Sequence, residues 1–198
     1  GRCGIGPIAT IPTARLAVPI AAEIRDFEPL AHFDRRQLLM LDRAAQLALV
    51  AAREALDGIE LAAIPAERCG VVLGAAIGQT TLDAGYEALY GQDAARLPPL
   101  TVPRGMPSAA ASHIAMAFGL HGPCFATASA CASSAHAIGL AARMVQDGRL
   151  DLSFDVFEDG AYQYRGIRIY RNTGAGFVDL GIELPNSKRC DGDDCDRD

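Results

Sequence analysis

FATASACASSAHAIGL, residues 125–140, is the stretch where a short apolar run gives way to a helical one, and its only ionisable side chains are Cys131 and His136. PCFATAS reads as a strand, and CASSAHAIGLAARMVQD reads as a helix that ends at Gly148. Ser129, Ala130, Ala132, Ser133 and Ser134 are small enough to permit a tight strand-to-helix turn and the close approach of a substrate carbonyl. From Gly105 to Ala142 there are 38 residues without Asp, Glu, Lys or Arg. So long an uncharged span, rich in Ala, Ser and Gly, belongs to closely packed elements or to a subunit interface.

A thiol is a weak nucleophile until it ionises. Free N–H groups at a helix start favour negative charge by roughly 0.3 to 2 kcal/mol, and a nearby carboxylate would oppose it. Cys131 at the first turn of the helix would meet both conditions. It could then attack a thioester, with its own N–H contributing to an oxyanion hole. The competing reading is that Cys131 only fills space, because free cysteine is among the most buried residue types. Spacing alone leaves both open.

The surrounding pattern is that of a layered α/β domain, because strands alternate with helices. Asp34 and Gln37 form a capping-box signature opening a helix that runs to about Leu56 before Gly58 stops it. Leu41, Ala45, Ala48, Ala52 and Ala55 share one stripe of it, with Asp42, Arg43, Arg53 and Glu54 off the stripe. CGVVLG, 69–74, is a buried strand. The Gly74-to-Gly78 loop lacks the Gly-Lys-Ser/Thr ending of a phosphate-binding loop and is read as a turn into a helix carrying Leu82, Tyr86, Leu89 and Tyr90 on one side. RLPPLTVPRGMP is a proline-broken connection, followed by a helix, SAAASHIAMAF, closed by Gly119 with Leu120 in a Schellman ending.

Composition excludes several classes. Residues 1–150 hold 12 Arg against 13 Asp and Glu, so there is no basic footprint for nucleic acid. No apolar stretch approaches the roughly 18 residues that span a bilayer, and no signal peptide is evident, so a cytosolic protein with free thiols is expected. After Leu150 the texture changes. Arg165, Arg168 and Arg171 read as a solvated face rather than an anion site, and Cys190 and Cys195, in CDGDDC, lack the second Cys or His pair of a zinc site. No metal or cofactor is expected.

TASACASSAHAIGLAARMVQDG resembles the active-site segment of the β-ketoacyl-acyl-carrier-protein synthases, the condensing enzymes of fatty acid and polyketide synthesis. GIGPI, DRRQLLMLDRAAQLALVAAREAL, ERCGVVLGAAIG and VPRGMPSAAASHIAMAFGLHGP resemble further landmarks of that family in the same order. The resemblance covers residues 1–150, read as the synthase N-terminal domain without its first strand, and leaves 151–198 as an unassigned tail, out of frame or disordered. It implies an incomplete thiolase-like αβαβα fold and a homodimer in which PCFATAS pairs with its copy. It implies Cys131 as nucleophile, taking an acyl group from acyl carrier protein for decarboxylative condensation with the malonyl thioester. It also implies two histidines and a lysine in a second half that this chain does not contain, so the isolated chain is expected to bind an acyl group without condensing it. His136 lies more than a helical turn beyond Cys131, while His32, His113 and His121 are read as packed or solvent-facing. The alternatives are a thiolase-like, coenzyme A-dependent relative and a non-catalytic fragment or pairing subunit.

Overall fold

The computed structural model describes residues 4–77, 79–158, 167–172 and 177–179. The arginine side chains at 165, 168 and 171 and the thiols of Cys190 and Cys195 lie outside what it describes. The chain opens with a two-stranded antiparallel ribbon, β1 (Ile5–Pro7) and β2 (Ile20–Ala22). The helices α1 (Arg35–Met40) and α2 (Arg43–Leu56) follow, then the strand β3 (Cys69–Ala75).

The capping box is present at Asp34 and Gln37, but the expected single helix is two. Leu41 adopts extended backbone (φ −105°, ψ 124°), and Asp42 starts a second helix as its N-cap, accepting from the Ala44 N–H at 3.1 Å. The same carboxylate accepts from the Thr81 N–H at 2.8 Å, the Thr80 hydroxyl at 3.2 Å and the Thr81 hydroxyl. Asp42 is therefore buried (2% exposed), not on the polar side as its place in the pattern suggested. A long-range set of donors outweighs helix continuation at this point, since an ionised carboxylate held by several hydrogen bonds is satisfied only in that place. The alanine stripe behaves as expected, with Leu41, Ala45, Ala48, Ala52 and Ala55 all in the core.

β3 is buried at every position. It runs parallel to β4 (Cys124–Thr127) on one side and to β5 (Leu152–Glu158) on the other, and β6 (Ile167–Asn172) and β7 (Phe177–Asp179) extend the sheet antiparallel, in the order β4-β3-β5-β6-β7. Between β3 and β4 lie α3 (Thr80–Tyr86), α4 (Thr101–Gly105) and α5 (Ala109–Phe118). The proline-broken connection thus contains a short helix. α3 continues into a π-helical turn at Glu87–Gly91; Tyr86 and Tyr90 share a side, their rings stacked 6.2 Å apart, and with Leu82 they are exposed. α5 ends as the sequence predicts: Gly119 is left-handed (φ 64°), and the Leu120 N–H returns to the Ala115 carbonyl at 2.9 Å.

The alternation along β3 sets the layers. Cys69, Val71, Leu73 and Ala75 pack with α2 and α5, while Val72 packs with Ala137, Ala141 and Val145 of α6 (Ser133–Gln146). Helices thus cover both faces of the sheet.

The start of β5 is tied to the start of β3 by a two-pronged ion pair, Arg68 Nε and Nη2 to Asp151 at 2.5 and 2.7 Å, which holds the Asp151 carboxyl below its ordinary value. A depressed carboxylate contributes stability above its unfolded pKa and loses it as the pH falls through the folded value. Stability should therefore drop as the pH falls below the ordinary aspartate value of 3.8, and Asp151→Asn should flatten that limb of an acid titration followed by circular dichroism. Asp42→Ala, which leaves buried donors unpartnered, should cost about 2 to 3 kcal/mol in urea unfolding.

Candidate active site

The strand β4 ends at Thr127 and α6 begins at Ser133, so five residues make the reversal. Ala130 is left-handed at φ 50°, a conformation that costs a residue with a Cβ about 1 to 2 kcal/mol and persists only when its surroundings fix it. Ser129 and Cys131 form an isolated β-bridge across it. The Ala132 N–H donates to Ser129 O at 3.1 Å, and the Ser133 N–H to Ala130 O at 3.0 Å. Cys131 consequently sits on the turn, two residues before the helix, with Ala132 as N-cap, rather than in the first helical turn as expected from the sequence. The reversal beside β3 takes up residues that pattern alone would assign to the helix. The Cys131 side chain is exposed.

Two elements fix the turn from outside. Gly74 of β3 lies against the start of α6 so closely that a Cβ there would come within 2.5 Å of Ser134 N and Cα. On the other side, the Thr127 hydroxyl donates to the Ser133 carbonyl at 2.8 Å. Ser133 itself is buried (3% exposed).

Beside the turn opens a cleft of about 520 Å³ lined by Thr127, Ala128, Ser129, Ala135, His136, Gly139 and Leu140. Its size is that of a small-molecule site. His136 Nδ1 lies 2.7 Å from the Ser129 hydroxyl, a pairing that sequence spacing does not show. The seven-residue separation across a turn and a helix start carries no local signal, because it depends on how far the turn folds back. The other histidines lie elsewhere. His32 is exposed and stacks on Phe27 with ring centres 5.3 Å apart. His113, half-buried on α5, has its basicity lowered by burial, partly offset by a hydrogen bond to the Met40 backbone. His121 is exposed after α5.

Of the other described thiols, Cys69 is buried and Cys124 is exposed. Cys69 is buried in β3, and burial, then the nearby Asp151 charge, push its thiol up. Cys124 stands at the sheet edge, yet desolvation of its sulfur also pushes it up, with a hydrogen bond from Ser112 opposing. Iodoacetamide at neutral pH should therefore modify Cys131 and Cys124 before Cys69, as read by peptide mapping. Labelling of Cys69 first would contradict this arrangement. Among the described residues no helix is long and apolar enough to cross a membrane.

Comparison with known proteins places this geometry in context. A family model described as the β-ketoacyl synthase N-terminal domain matches residues 8–154. Nodulation protein E of Rhizobium sp. (strain N33) is 41% identical over 155 residues, 77% of this chain and 38% of that protein. The 3-oxoacyl-[acyl-carrier-protein] synthase 2 of Staphylococcus aureus is 34% identical over 154 residues, 76% of this chain and 38% of that protein. The chain thus spans under two fifths of these relatives. Among solved structures, a β-ketoacyl synthase from Burkholderia phymatum STM815 superposes with a TM-score of 0.59 at 25% identity, over 69% of this chain and 34% of the other. The ishigamide ketosynthase/chain length factor gives 0.68 at 22% identity, over 80% and 41%, a likeness of fold. The described α/β layers are those of part of the thiolase-like ketosynthase fold.

Proposed function

The chain belongs to the β-ketoacyl synthase family through the N-terminal domain it contains, and on that premise we propose that Cys131 is the acyl acceptor of a 3-oxoacyl-acyl-carrier-protein synthase reaction. The observation that carries this reading is the exposed thiol on a strained turn at the N-terminal end of α6, beside an open cleft. In the loading step the Cys131 sulfur, as its thiolate, attacks the carbonyl carbon of an acyl thioester. The carbonyl oxygen takes the negative charge and then returns it as the bond to the carrier sulfur breaks. The carrier thiolate leaves, and the acyl group remains on Cys131. The Cys131 backbone N–H contributes to the oxyanion hole that stabilises that charge.

Condensation follows when a malonyl thioester loses carbon dioxide and its carbanion attacks the carbonyl carbon of the acyl-cysteine; the bond to the Cys131 sulfur breaks, the thiolate is released, and the β-ketoacyl product remains on the carrier. That step needs groups that stabilise the carbanion. Of the four histidines, His136 alone lines the cleft, and it is occupied by Ser129. The 198-residue chain by itself therefore stops at the acyl-enzyme. The carrier-protein thioester is favoured as donor over coenzyme A by the resemblance to the acyl-carrier-protein synthases, and the cytosol is the compartment in which such a thiol stays reduced. β4 offers its free edge to a second copy of the chain, which would cover a strand otherwise open to aggregation.

Incubating the purified chain with an acyl-carrier protein should add one acyl mass to an intact-mass spectrum, and Cys131→Ala should abolish the addition. Adding malonyl-carrier protein should yield no β-ketoacyl product. Acylation that survives Cys131→Ala would overturn the assignment.

A further inference from the structure

We infer that Ser133 is a positioning residue for Cys131: its hydroxyl is the clasp that closes the turn on which the thiol stands, an inference that rests on the reading of Cys131 as acyl acceptor. The Ser133 hydroxyl donates to the Ala130 carbonyl at 2.7 Å and at the same time accepts from the Ser129 N–H at 2.8 Å. It thereby ties the Ser129 amide to the carbonyl of the left-handed Ala130, the residue between the two partners of the Ser129–Cys131 bridge. A hydroxyl is suited to this, being donor and acceptor at one atom.

The clasp is anchored rather than floating. Ser133 is 3% exposed, its carbonyl receives the Thr127 hydroxyl at 2.8 Å, and its backbone N–H adds a second bond to Ala130 O at 3.0 Å. Gly74 removes the remaining slack by letting β3 touch the backbone of Ser133 and Ser134. Of the side-chain groups that cross the turn, the Ser133 hydroxyl is the one that bonds the backbone of both Ser129 and Ala130. Without it the Ser129 N–H is left without that partner, and Ala130 loses one of the two bonds that favour its left-handed conformation. The turn can then relax, and the sulfur shifts relative to the backbone donors of the helix start. A displacement of that kind reduces the rate of reaction more than it reduces the binding of substrate.

Three measurements test this on the full 198-residue chain. In the wild type, the Ser129 amide should exchange with deuterium at least about tenfold more slowly than an unprotected amide, as followed by nuclear magnetic resonance. In Ser133→Ala, that protection should be lost. The saturating rate of acylation by acyl-carrier protein should fall about tenfold while the half-saturating concentration stays within twofold. Ser133→Thr, which keeps the hydroxyl, should restore both. Unprotected Ser129 in the wild type overturns the clasp without recourse to any variant, and so covers the case in which Ser133→Ala does not fold. Equal acylation rates in wild type and Ser133→Ala overturn the positioning role. A wild type that never acylates at Cys131 removes the proposed function instead, and amide exchange alone then decides whether the clasp exists.

Discussion

There is no room for a side chain between β3 and the first turn of α6. The backbone of Ser133 and Ser134 rests on Gly74, and a single methyl there would meet main-chain atoms at 2.5 Å. Main chain cannot yield as a flexible side chain does, so this contact fixes where the helix begins. From that fixed start the rest follows. Ala137, Ala141 and Val145 fall onto Val72, and the residues left between Thr127 and Ser133 must reverse direction within a span that forces Ala130 into the left-handed region. The position of the exposed thiol is a consequence of strand-to-helix packing one layer beneath it.

The opposite face of β3 is held by a different device. There the alanines of α2 and α5 pack among larger side chains such as Leu49, Leu73 and Ile114, and Asp42 adds direction. Its carboxylate joins the N-termini of α2 and α3 through the Ala44 and Thr81 amides. Such a network is satisfied in only one arrangement, which adds specificity to the apolar packing around it. The two faces therefore divide the labour: close approach and hydroxyl hydrogen bonds set the site, and the buried carboxylate sets the scaffold behind it.

An absence of charge across residues 105–142 has a physical sense in this arrangement. α5, β4, the turn and most of α6 all come from that span. The same span leaves the mouth of the cleft open, since Gly139 faces no atom within 4 Å.

Much of this was legible in the sequence because it rests on local rules. The β3 strand, the Asp34 capping box, the glycine-closed α5 and the alternation of strand and helix from β3 to α6 follow from periodicity and from residues whose backbone preference is strong, whereas β5, β6 and β7 fall in the stretch read as an unassigned tail. The family resemblance, carried by ordered landmarks, identified Cys131 as the residue to examine. What the sequence could not supply was anything decided by distant partners. The break at Leu41 depends on Thr80 and Thr81, nearly forty positions on. The start of α6 at Ser133 depends on Gly74, and the pairing of His136 with Ser129 depends on how tightly the turn closes. Local preference determined which elements form, whereas the exact residue at which the helix gives way to the turn, and so the placement of the thiol, was decided by tertiary contact, because there a left-handed alanine is stable only within the hydrogen bonds and backbone packing that surround it.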